Sequence, residues 1–475
     1  MTKDELLLRI REGGKLTNND QLQLVALLSI PAIIAQLSNI LMNYIDAAMT
    51  GTLGANASAS IGLVSTTLWL FWSVIGCSTT GFSVQVAHRI GANDFKGARD
   101  IFRQSLSASL VISILTAIIG VCIAWHLPGW LGAEEAIRHD ATIYFLIFVI
   151  GLPLGMIDML ASGMLRCAGD IKTPSIANVV MCFIDVFFNF LLIFPTRTVD
   201  ILGIHLWIPG AGWGVAGAAI GTCLAEAIVA FWLLWYATTK SKELSLWKEK
   251  GPFLPTHDVL QHAYHIAAPM FLQRVVMNIA QIVSTIIVAP LGAVAIAANA
   301  FGITAESLCY MPGYGISEAA TTLVGQSVGA GRYKLTYRFA WLTTMVGIMV
   351  MTIMGIIMWL GAPWMMSILT PVEEVRQLGT ECLRIEAWAE PMFAASIVVY
   401  GVFLGTGDTM KPALMNLFSM WAVRITLAAA LAPSLGLHGV WIAMAIELTF
   451  RGIIFLIRLR WGHWIKTSKV INRKD

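Results

Sequence analysis

The sequence predicts an all-α membrane protein with twelve transmembrane helices, arranged as two six-helix lobes that are related by a parallel internal repeat. Composition is the first reason: apolar residues make up 57% of the 475 residues and charged residues only 12%, whereas a soluble domain carries about 25% charged residues. The second is that apolar stretches of roughly 20 residues, long enough to cross a bilayer, follow one another along the chain. The third is a set of residues that recurs at a fixed offset.

The predicted spans are separated by short polar segments. They cover approximately residues 22–50, 56–83, 102–127, 139–164, 174–195, 213–237, 263–289, 293–323, 339–367, 383–405, 412–433 and 437–460. The first 21 residues are polar and charged, and they lack the basic region and cleavage site of a signal peptide. The first span is therefore predicted to be retained.

Lysine and arginine predict the orientation, because membrane proteins keep these residues preferentially on the cytoplasmic side. With both termini in the cytoplasm, the outer loops hold only Arg138, Arg197 and Arg376. This topology predicts that an engineered cysteine at residue 245 is accessible to labelling from the cytoplasm and one at residue 202 from the outside. The net charge of +3 then reflects juxtamembrane cations that contact anionic membrane lipids, and we expect no nucleic-acid partner.

Two similar phrases indicate an internal duplication: LRCAGDIKTP at 165–174 and FLGTGDTMKP at 403–412. Their offset of 238 residues also aligns several prolines and glycines and the LGA tripeptides at 53–55 and 291–293, without a gap. Each half holds six spans, an even number, so both halves enter the membrane from the same side. The repeat is therefore parallel, and the substrate path is expected between the halves.

The predicted organisation has five parts. These are a cytoplasmic N-terminal segment (1–21), an N-lobe of helices 1–6 (22–237), a charged cytoplasmic linker (238–262), a C-lobe of helices 7–12 (263–460) and a cytoplasmic tail (461–475). An insertion near 195–212 in the N-lobe is predicted to form an extracytoplasmic hairpin or cap.

The duplicated phrases fall at the cytoplasmic ends of spans 4 and 10. Glycine there permits a tight reversal, aspartate can cap the following helix, and proline can start it. We assign these residues to corners of the fold, with a role in gating as the alternative. They are Gly169, Asp170, Pro174, Gly407, Asp408 and Pro412.

Patterns typical of enzymes are weak. GWGVAG at 212–217 matches G-x-G-x-x-G but follows no strand of a βαβ unit, so Gly217 and Gly221 are interpreted as small residues that let two membrane helices approach closely. The seven cysteines stand without metal-ligand spacing. No nucleophile with a histidine base is found. A membrane enzyme is therefore the least favoured alternative, and we expect neither a cofactor nor a structural metal.

Acidic residues inside the spans are the strongest functional candidates. An ionised carboxylate in hydrocarbon costs at least ~2.5 kcal/mol, and such residues usually face a cavity where they handle ions or protons. Asp46 lies in span 1, on the same helical face as Asn39 two turns earlier. In span 5, Asp185 and Asn189 are four residues apart, so they present a carboxylate and an amide to one point.

These residues are predicted to form an oxygen-lined site for sodium, or a carboxylate pair that keeps one proton bound. Sodium is favoured because the amide oxygen of Asn189 can ligate it. Hydrogen bonding between helices without transport is the alternative. At the 238-residue offset the second half has Ser284, Val423 and Leu427, so the site is predicted in the N-lobe only.

The second half contains other intramembrane ionisable groups, including Glu386 and Arg424. We interpret them as members of ion pairs, with substrate binding as the alternative. The candidates for substrate binding are Glu306, Glu318, Gln273, Arg274 and Glu390.

Three further buried acids, Asp158, Glu226 and Glu447, are assigned to structure, and Glu447 is predicted to pair with Arg451 one turn later. The 17 Trp, 21 Phe and 22 Met residues suit a cavity that accepts varied apolar cations. Tryptophan at the membrane interfaces explains much of that number equally well.

Four segments carry a family resemblance: YIDAAMTG (44–51), MPGYGISEAATTLVGQSVGAGR (311–332), FLGTGDTMKP (403–412) and WAVRITLA (421–428). The chain resembles the multidrug and toxic compound extrusion (MATE) family over essentially its whole length. The resemblance implies a monomeric antiporter of the bacterial plasma (inner) membrane that expels organic cations or drugs in exchange for sodium or protons. It also implies that the N-lobe cation site comprises Asp46, Asn39, Tyr144, Asp185, Asn189 and Thr222.

Two departures from the family pattern bear on the mechanism. The carboxylate precedes the amide in span 5, whereas the family's usual order is the reverse, and this leaves the coupling ion open. Span 7 has no acid, only Gln273 and Arg274. A flippase for lipid-linked precursors, from the same wider superfamily, is the alternative function. It would require an extended basic cavity, and few cations lie within the spans.

Overall fold

The computed structural model describes residues 2–201 and 204–465; for residue 55, and for 199–201 and 204–206, it describes the backbone only. The helices of the first half are α1 (Lys3–Glu12), α2 (Asn18–Gly51), α3 (Ala55–Gly91), α4 (Phe95–Ala124), α5 (Leu127–Trp130), α6 (Glu135–Cys167), α7 (Lys172–Leu192) and α8 (Gly214–Trp235). Those of the second half are α9 (His257–Val288), α10 (Ala293–Gly329), α11 (Tyr333–Leu369), α12 (Glu373–Ala387), α13 (Glu390–Thr406), α14 (Met410–Phe418), α15 (Thr426–Leu435) and α16 (Leu437–Trp461).

Eleven helices in the described residues are long and apolar enough to cross a membrane. One of them runs from α14 to α15 through the π-helical segment Ser419–Ile425. Helices suit this environment because they satisfy every backbone hydrogen bond internally where no water can do so. Counting the bent pair of α12 and α13 as one span gives twelve, so the predicted fold class is confirmed.

The predicted span 10 is wrong in its form. It was expected as one helix over 383–405, but α12 begins at Glu373, and α12 and α13 meet at an angle of 60°. The break falls at Trp388 and Ala389, and Pro391 occupies the first turn of α13. Proline has no backbone N–H to donate and disfavours helical geometry in the preceding residue, so it starts a new helix here.

The predicted insertion forms a β-hairpin. Strand β1 (Pro195–Ile201) pairs antiparallel with β2 (Ile204–Ala211), with Thr198 opposite Trp207. The guanidinium of Arg197 lies 4.3 Å from the ring centre of Phe190 at the end of α7, a cation–π contact that joins the strand to the helix. Leu202, the position predicted to face the outside, lies outside the described residues.

The chain divides into two compact units. The N-unit comprises Ser38–Val86 and Phe95–Tyr264, and the C-unit comprises Met1–Leu37, Ala87–Asp94 and His265–Asp475. The beginning of α2 and the end of α3 therefore group with the second half of the chain. Each candidate site described below is formed within one unit.

The two corner motifs use their glycines alike and their aspartates differently. Gly169 and Gly407 have φ values of +96° and +81°, which glycine adopts without strain. Asp170 accepts a hydrogen bond from the backbone N–H of Thr173 at 3.2 Å, so it caps the start of α7 as predicted. The capping role predicted for Asp408 is wrong.

Asp408 instead accepts a hydrogen bond from the guanidinium of Arg458 near the end of α16. The N-cap residue of α14 is Thr409, and its side chain makes no capping hydrogen bond. An arginine 50 residues away thus takes the carboxylate. Both partners of this bond are charged, whereas a backbone N–H at a helix N-cap is a neutral donor. The second corner therefore ties α16 to the start of α14.

The linker after α8 is held against α4. Arg99 donates to the carbonyl of Glu243 at 3.1 Å, and Arg103 donates to the carbonyl of Leu246 at 2.8 Å. Ser245 lies between these contacts and is 3% exposed. The expectation that residue 245 is accessible is therefore wrong, because the arginines of α4 pack this part of the linker.

Candidate functional site

Two glycines of α8 bring that helix against α7. A Cβ atom added at Gly217 would lie 2.4 Å from the carbonyl oxygen of Leu192, and one added at Gly221 would lie 2.2 Å from Oδ1 of Asn189. Both distances are too short for real atoms, so only glycine allows this approach. The prediction that Gly217 and Gly221 pack two membrane helices is confirmed. The contacts also show that α7 and α8 run antiparallel.

Asn189 links the two aspartates of the predicted cation site. Its Nδ2 donates to Oδ1 of Asp46 at 2.8 Å and to Oδ2 of Asp185 at 3.1 Å. Asp185 and Asn189 are fully buried, at 0% exposure, whereas Asp46 is half-buried. The helical spacing of Asp185 and Asn189 thus produces the predicted juxtaposition, and α2 supplies the third group.

The two carboxyl groups also approach each other. Asp46 and Asp185 lie close enough for their charges to interact, and Thr222, whose hydroxyl donates to the carbonyl of Ala218 at 3.2 Å, lies close to Asp185. Two carboxylates this close repel each other unless a proton or another cation lies between them. The arrangement therefore has the chemistry of a monovalent-cation site.

Tyr144 and Asn39 complete the predicted set in different ways. Tyr144 packs against Phe148, with ring centres 4.9 Å apart, and it lies close enough to Asp46 and Asp185 to interact with their charges. Asn39 is half-buried and makes no side-chain hydrogen bond within the described residues. The structure thus brings Tyr144 to the carboxylates but shows no such contact for Asn39.

Sodium was favoured because the amide oxygen of Asn189 could ligate it, but the structure turns this oxygen away from the two carboxylates. Its nitrogen faces both carboxylates, and its Oδ1 faces Gly221 and accepts no hydrogen bond. The carboxylates select this orientation because they accept hydrogen bonds from N–H groups and repel a carbonyl oxygen. A sodium ion between the carboxylates would require the amide to rotate before Oδ1 could ligate it.

The C-unit holds a second group of buried acids. Glu386 and Glu390 are fully buried, and none of their four carboxylate oxygens receives a hydrogen bond within the described residues. Glu306, 5% exposed, lies close enough to interact electrostatically with both. Arg424, in the π-helical segment, interacts with Glu306 and Glu386. The group thus has three acids and one nearby cation.

Ion pairs were expected for the arginines within the spans of the C-unit, and one such pair is observed among the described residues. Arg451 donates to both carboxylate oxygens of Glu447, at 2.7 and 2.8 Å, as predicted. Arg424 donates to the sulfur of Met444 at 2.6 Å. Within the described residues, no carboxylate lies at salt-bridge distance from Arg424 or Arg274. The side chain of Arg274, on α9, is exposed.

The other candidates for substrate binding have different surroundings. Glu318 accepts a hydrogen bond from Nε2 of Gln36 at 2.9 Å, which joins α10 to the beginning of α2 within the C-unit. The Oε1 of Gln273 is buried and accepts no hydrogen bond in the described chain. Of the five predicted residues, only Glu306 and Glu390 are brought together.

The structure adds two acids of the N-unit that the sequence assigned to structure. Glu226 of α8 lies close enough to Asp185 and to Asp158 of α6 for their charges to interact. The signal in the sequence was the spacing: Glu226 follows Thr222 by one turn and therefore shares its helical face. The side chains of Glu226 and Asp158 are half-buried.

Comparison with known proteins gives consistent results. The sequence profile of the MatE family matches residues 31–191 and 269–430. A Thermotoga maritima protein named probable multidrug resistance protein NorM is 26% identical over 446 residues, which cover 93% of this chain and 92% of that protein. The multidrug resistance protein MdtK of Yersinia pestis is 22% identical over 459 residues, covering 94% and 96% of the two chains.

Among solved structures, a crystal structure of MATE in complex with MaL6 shares the fold, with a TM-score of 0.86 at 20% identity over 99% of this chain and 100% of that one. The two segments matched by the family profile correspond to the two halves of the internal repeat. Together they cover more than half of the sequence. This chain therefore belongs to the MatE family.

Proposed function

We propose that this protein is a secondary active multidrug efflux transporter of the bacterial plasma membrane, which exchanges organic cations for sodium ions or protons. The observation that carries the proposal is the Asp46–Asn189–Asp185 contact, in which one amide separates two carboxylates inside the N-unit. Relatives named as multidrug resistance proteins support efflux of drugs as the direction and purpose of transport.

The proposed coupling ion binds between Asp46 and Asp185. A proton shared by the two carboxyl groups leaves the Asn189 amide in place, whereas sodium requires the amide to rotate and present Oδ1. Either cation removes the repulsion between the carboxylates. Binding therefore changes the contact between α2 and α7, two helices that carry opposite sides of the site.

Coupling follows if substrate and cation favour opposite-facing states. Each then shifts the population away from the state that the other prefers, and the size of that shift is limited by the difference in affinity between the two states. We propose the Glu306, Glu386 and Glu390 group as the counter-charge for the cationic centre of the substrate. Its three acids exceed its one nearby cation, so it would attract a positively charged ligand.

The test is transport by the full chain in proteoliposomes, with ethidium as a monovalent aromatic cation and with sodium and proton gradients imposed separately. We expect at least one gradient to drive ethidium transport, and we expect Asp185→Asn and Asp46→Asn to abolish it while expression stays normal. Asp258→Asn, at an exposed position at the start of α9, is the control. Transport by neither gradient, or normal transport by Asp185→Asn, would contradict the proposal.

A further inference from the structure

The acidic residues of the N-unit extend beyond the coupling site. The contacts of Gly217 with Leu192 and of Gly221 with Asn189 fix how α8 lies along α7. Five more residues along α8 in the same direction, a rise of about 7.5 Å, reach Glu226, and four more residues along α7, a rise of about 6 Å, reach Asp185. Glu226 therefore lies at the level of Asp185, which agrees with the electrostatic interaction between them.

Asp158 continues the series on a third helix. Helices α6 and α8 are both antiparallel to α7, so they run parallel to each other, and a Cβ added at Gly151 of α6 would lie 2.8 Å from Sγ of Cys223. From that level, Asp158 lies two turns further along α6, and Glu226 lies about one turn further along α8. Asp158 is thus roughly one turn beyond Glu226 in the direction of the α6 C-terminus.

Among the residues that the structure describes, no cation lies at hydrogen-bonding distance from the carboxylates in this region. Asp185 is 0% exposed. Its Oδ1 receives no hydrogen bond, and neither does the buried Oδ1 of Asp158. Glu226 makes no hydrogen bond or ion pair within the described residues. The titratable groups whose charges interact with Glu226 are Asp185, Asp158, Tyr144 and Cys223.

Among the described residues, one positive charge acts on this series, and it does so at the Asp158 end. The charge of Arg166 acts on Asp158, and its Nε donates to the carbonyl of Ser162 at 3.2 Å in the last turn of α6. Arg166 immediately precedes the Gly169 corner, which the topology places at the cytoplasmic side. The carboxylates therefore connect the coupling site with that end of the N-unit.

We infer that Glu226 and Asp158 form a second station for the monovalent cation, a proton or sodium, on the route between Asp185 and the end of α6. This inference rests on the proposed function, because it needs a cation at Asp185. A cation between Asp185 and Glu226, or between Glu226 and Asp158, offsets the repulsion of each pair in turn. The two acids speed the movement of the cation to and from the coupling site formed by Asp46 and Asp185. They are not ligands of the cation while it is bound at that site.

The experiment separates rate from affinity in the full-length protein. Exchange of ²²Na⁺ and of protons is measured in proteoliposomes under sodium and proton gradients applied one at a time, and equilibrium binding of ²²Na⁺ and its competition by protons are measured in detergent. For Glu226→Gln and Asp158→Asn we expect a loss of exchange rate of about tenfold or more under one of the two gradients, with affinity changed by less than about threefold. The gradient that shows the defect identifies the cation.

Two controls make the result specific. Asp140→Asn lies on the same face of α6, five turns before Asp158, and should leave exchange unchanged. Glu226→Asp keeps a carboxylate and should restore most of the rate, which a purely structural role for Glu226 would not explain. If Glu226→Gln does not fold, Asp158→Asn carries the test by itself.

The outcomes distinguish this inference from the proposed function. Normal exchange by Glu226→Gln and Asp158→Asn under both gradients, together with loss of exchange in Asp185→Asn, would overturn the second station and leave the coupling site standing. Normal exchange by Asp185→Asn would overturn both. A large loss of equilibrium affinity in Glu226→Gln would make Glu226 a ligand of the first site, and the second station would again be wrong.

Discussion

Gly221 lies so close to Asn189 that a Cβ atom in its place would be 2.2 Å from the amide oxygen. The amide can bridge Asp46 and Asp185 only because α8 presents a bare backbone at this point. Helix packing and the bridge between the two carboxylates therefore depend on the same residue. A sequence change that touches no charge can disturb the site through this contact.

We predict that Gly221→Ala lowers cation-driven transport by at least about tenfold. The added methyl group must displace either the amide or α8, and either movement breaks hydrogen bonds to charged groups that are worth about 1.5–3 kcal/mol each. The measurement is ethidium transport in proteoliposomes. Gly62→Ala is the matched control, because a Cβ at Gly62 of α3 meets no atom within 4 Å. Equal activity of the two variants would refute the packing argument.

The Glu447 and Arg451 pair leads to a prediction about stability. Glu447 is fully buried and also accepts a hydrogen bond from the hydroxyl of Ser419 at 2.5 Å. Arg451→Leu leaves the carboxylate without its cation, which typically costs about 3–5 kcal/mol for a buried pair. We therefore expect a clear fall in the Tm of the purified protein, whereas the exposed Arg460 of the same helix should tolerate the same change.

The double variant Glu447→Leu/Arg451→Leu tests the reason for that loss. Replacing both partners of a buried ion pair by apolar residues is often neutral or stabilising, because the desolvation penalty of two charges disappears. The Tm of the double variant should therefore exceed that of Arg451→Leu alone. A double variant less stable than the single one would show that the pair stabilises α16 by more than neutralising a charge.

The overall fold could be predicted from the sequence because its determinants are local or repeated. Twenty apolar residues suffice to predict a span, and the offset of 238 residues relates the two halves without any knowledge of contacts. The break between α12 and α13 was missed although Pro391 marks it, since proline also occurs inside membrane helices of this chain, as at Pro153 and Pro312. Only packing decides which proline ends a helix.

The site was predictable only as far as helical periodicity reaches. Asp185 and Asn189 are one turn apart, so their juxtaposition follows from the sequence. The direction of the Asn189 amide depends on Asp46, 143 residues away, and the position of Glu226 depends on the glycine contacts between α7 and α8. Asp408 likewise finds Arg458 through the tertiary structure. Such long-range contacts leave no periodic signal in one sequence.

The predicted topology can be tested by labelling with a membrane-impermeant maleimide. Trp247 of the linker is 84% exposed and Trp207 of the hairpin is 68% exposed, so cysteines at these positions should react without resistance from packing. We expect Trp247→Cys to react only from the cytoplasmic side and Trp207→Cys only from the outside. The background carries Cys122→Ala, because Cys122 is the exposed cysteine among those described. The reverse pattern would invert the orientation.

The amide of Asn189 leads to a prediction that separates sodium from proton coupling. In the present arrangement Nδ2 donates to Asp46 at 2.8 Å and to Asp185 at 3.1 Å, and Oδ1 makes no hydrogen bond. Sodium needs that oxygen as a ligand, because hard cations take oxygen donors and two carboxylates alone leave the ion under-coordinated. A proton shared by the carboxyl groups needs no further ligand.

Asn189→Leu removes both the bridging N–H groups and the neutral oxygen while it keeps the same branched arrangement of heavy atoms. We expect it to abolish transport driven by a sodium gradient. Transport driven by a proton gradient should fall by no more than about tenfold. The reason is that hydrogen bonds to charged groups are worth about 1.5–3 kcal/mol, and only part of that is lost when two carboxyls share a proton. Asn178→Leu, three turns earlier on the same face of α7, is the control. Sodium-driven transport that survives in Asn189→Leu would show that the amide oxygen does not ligate the ion, and the rotation of Asn189 would then have no place in the coupling mechanism.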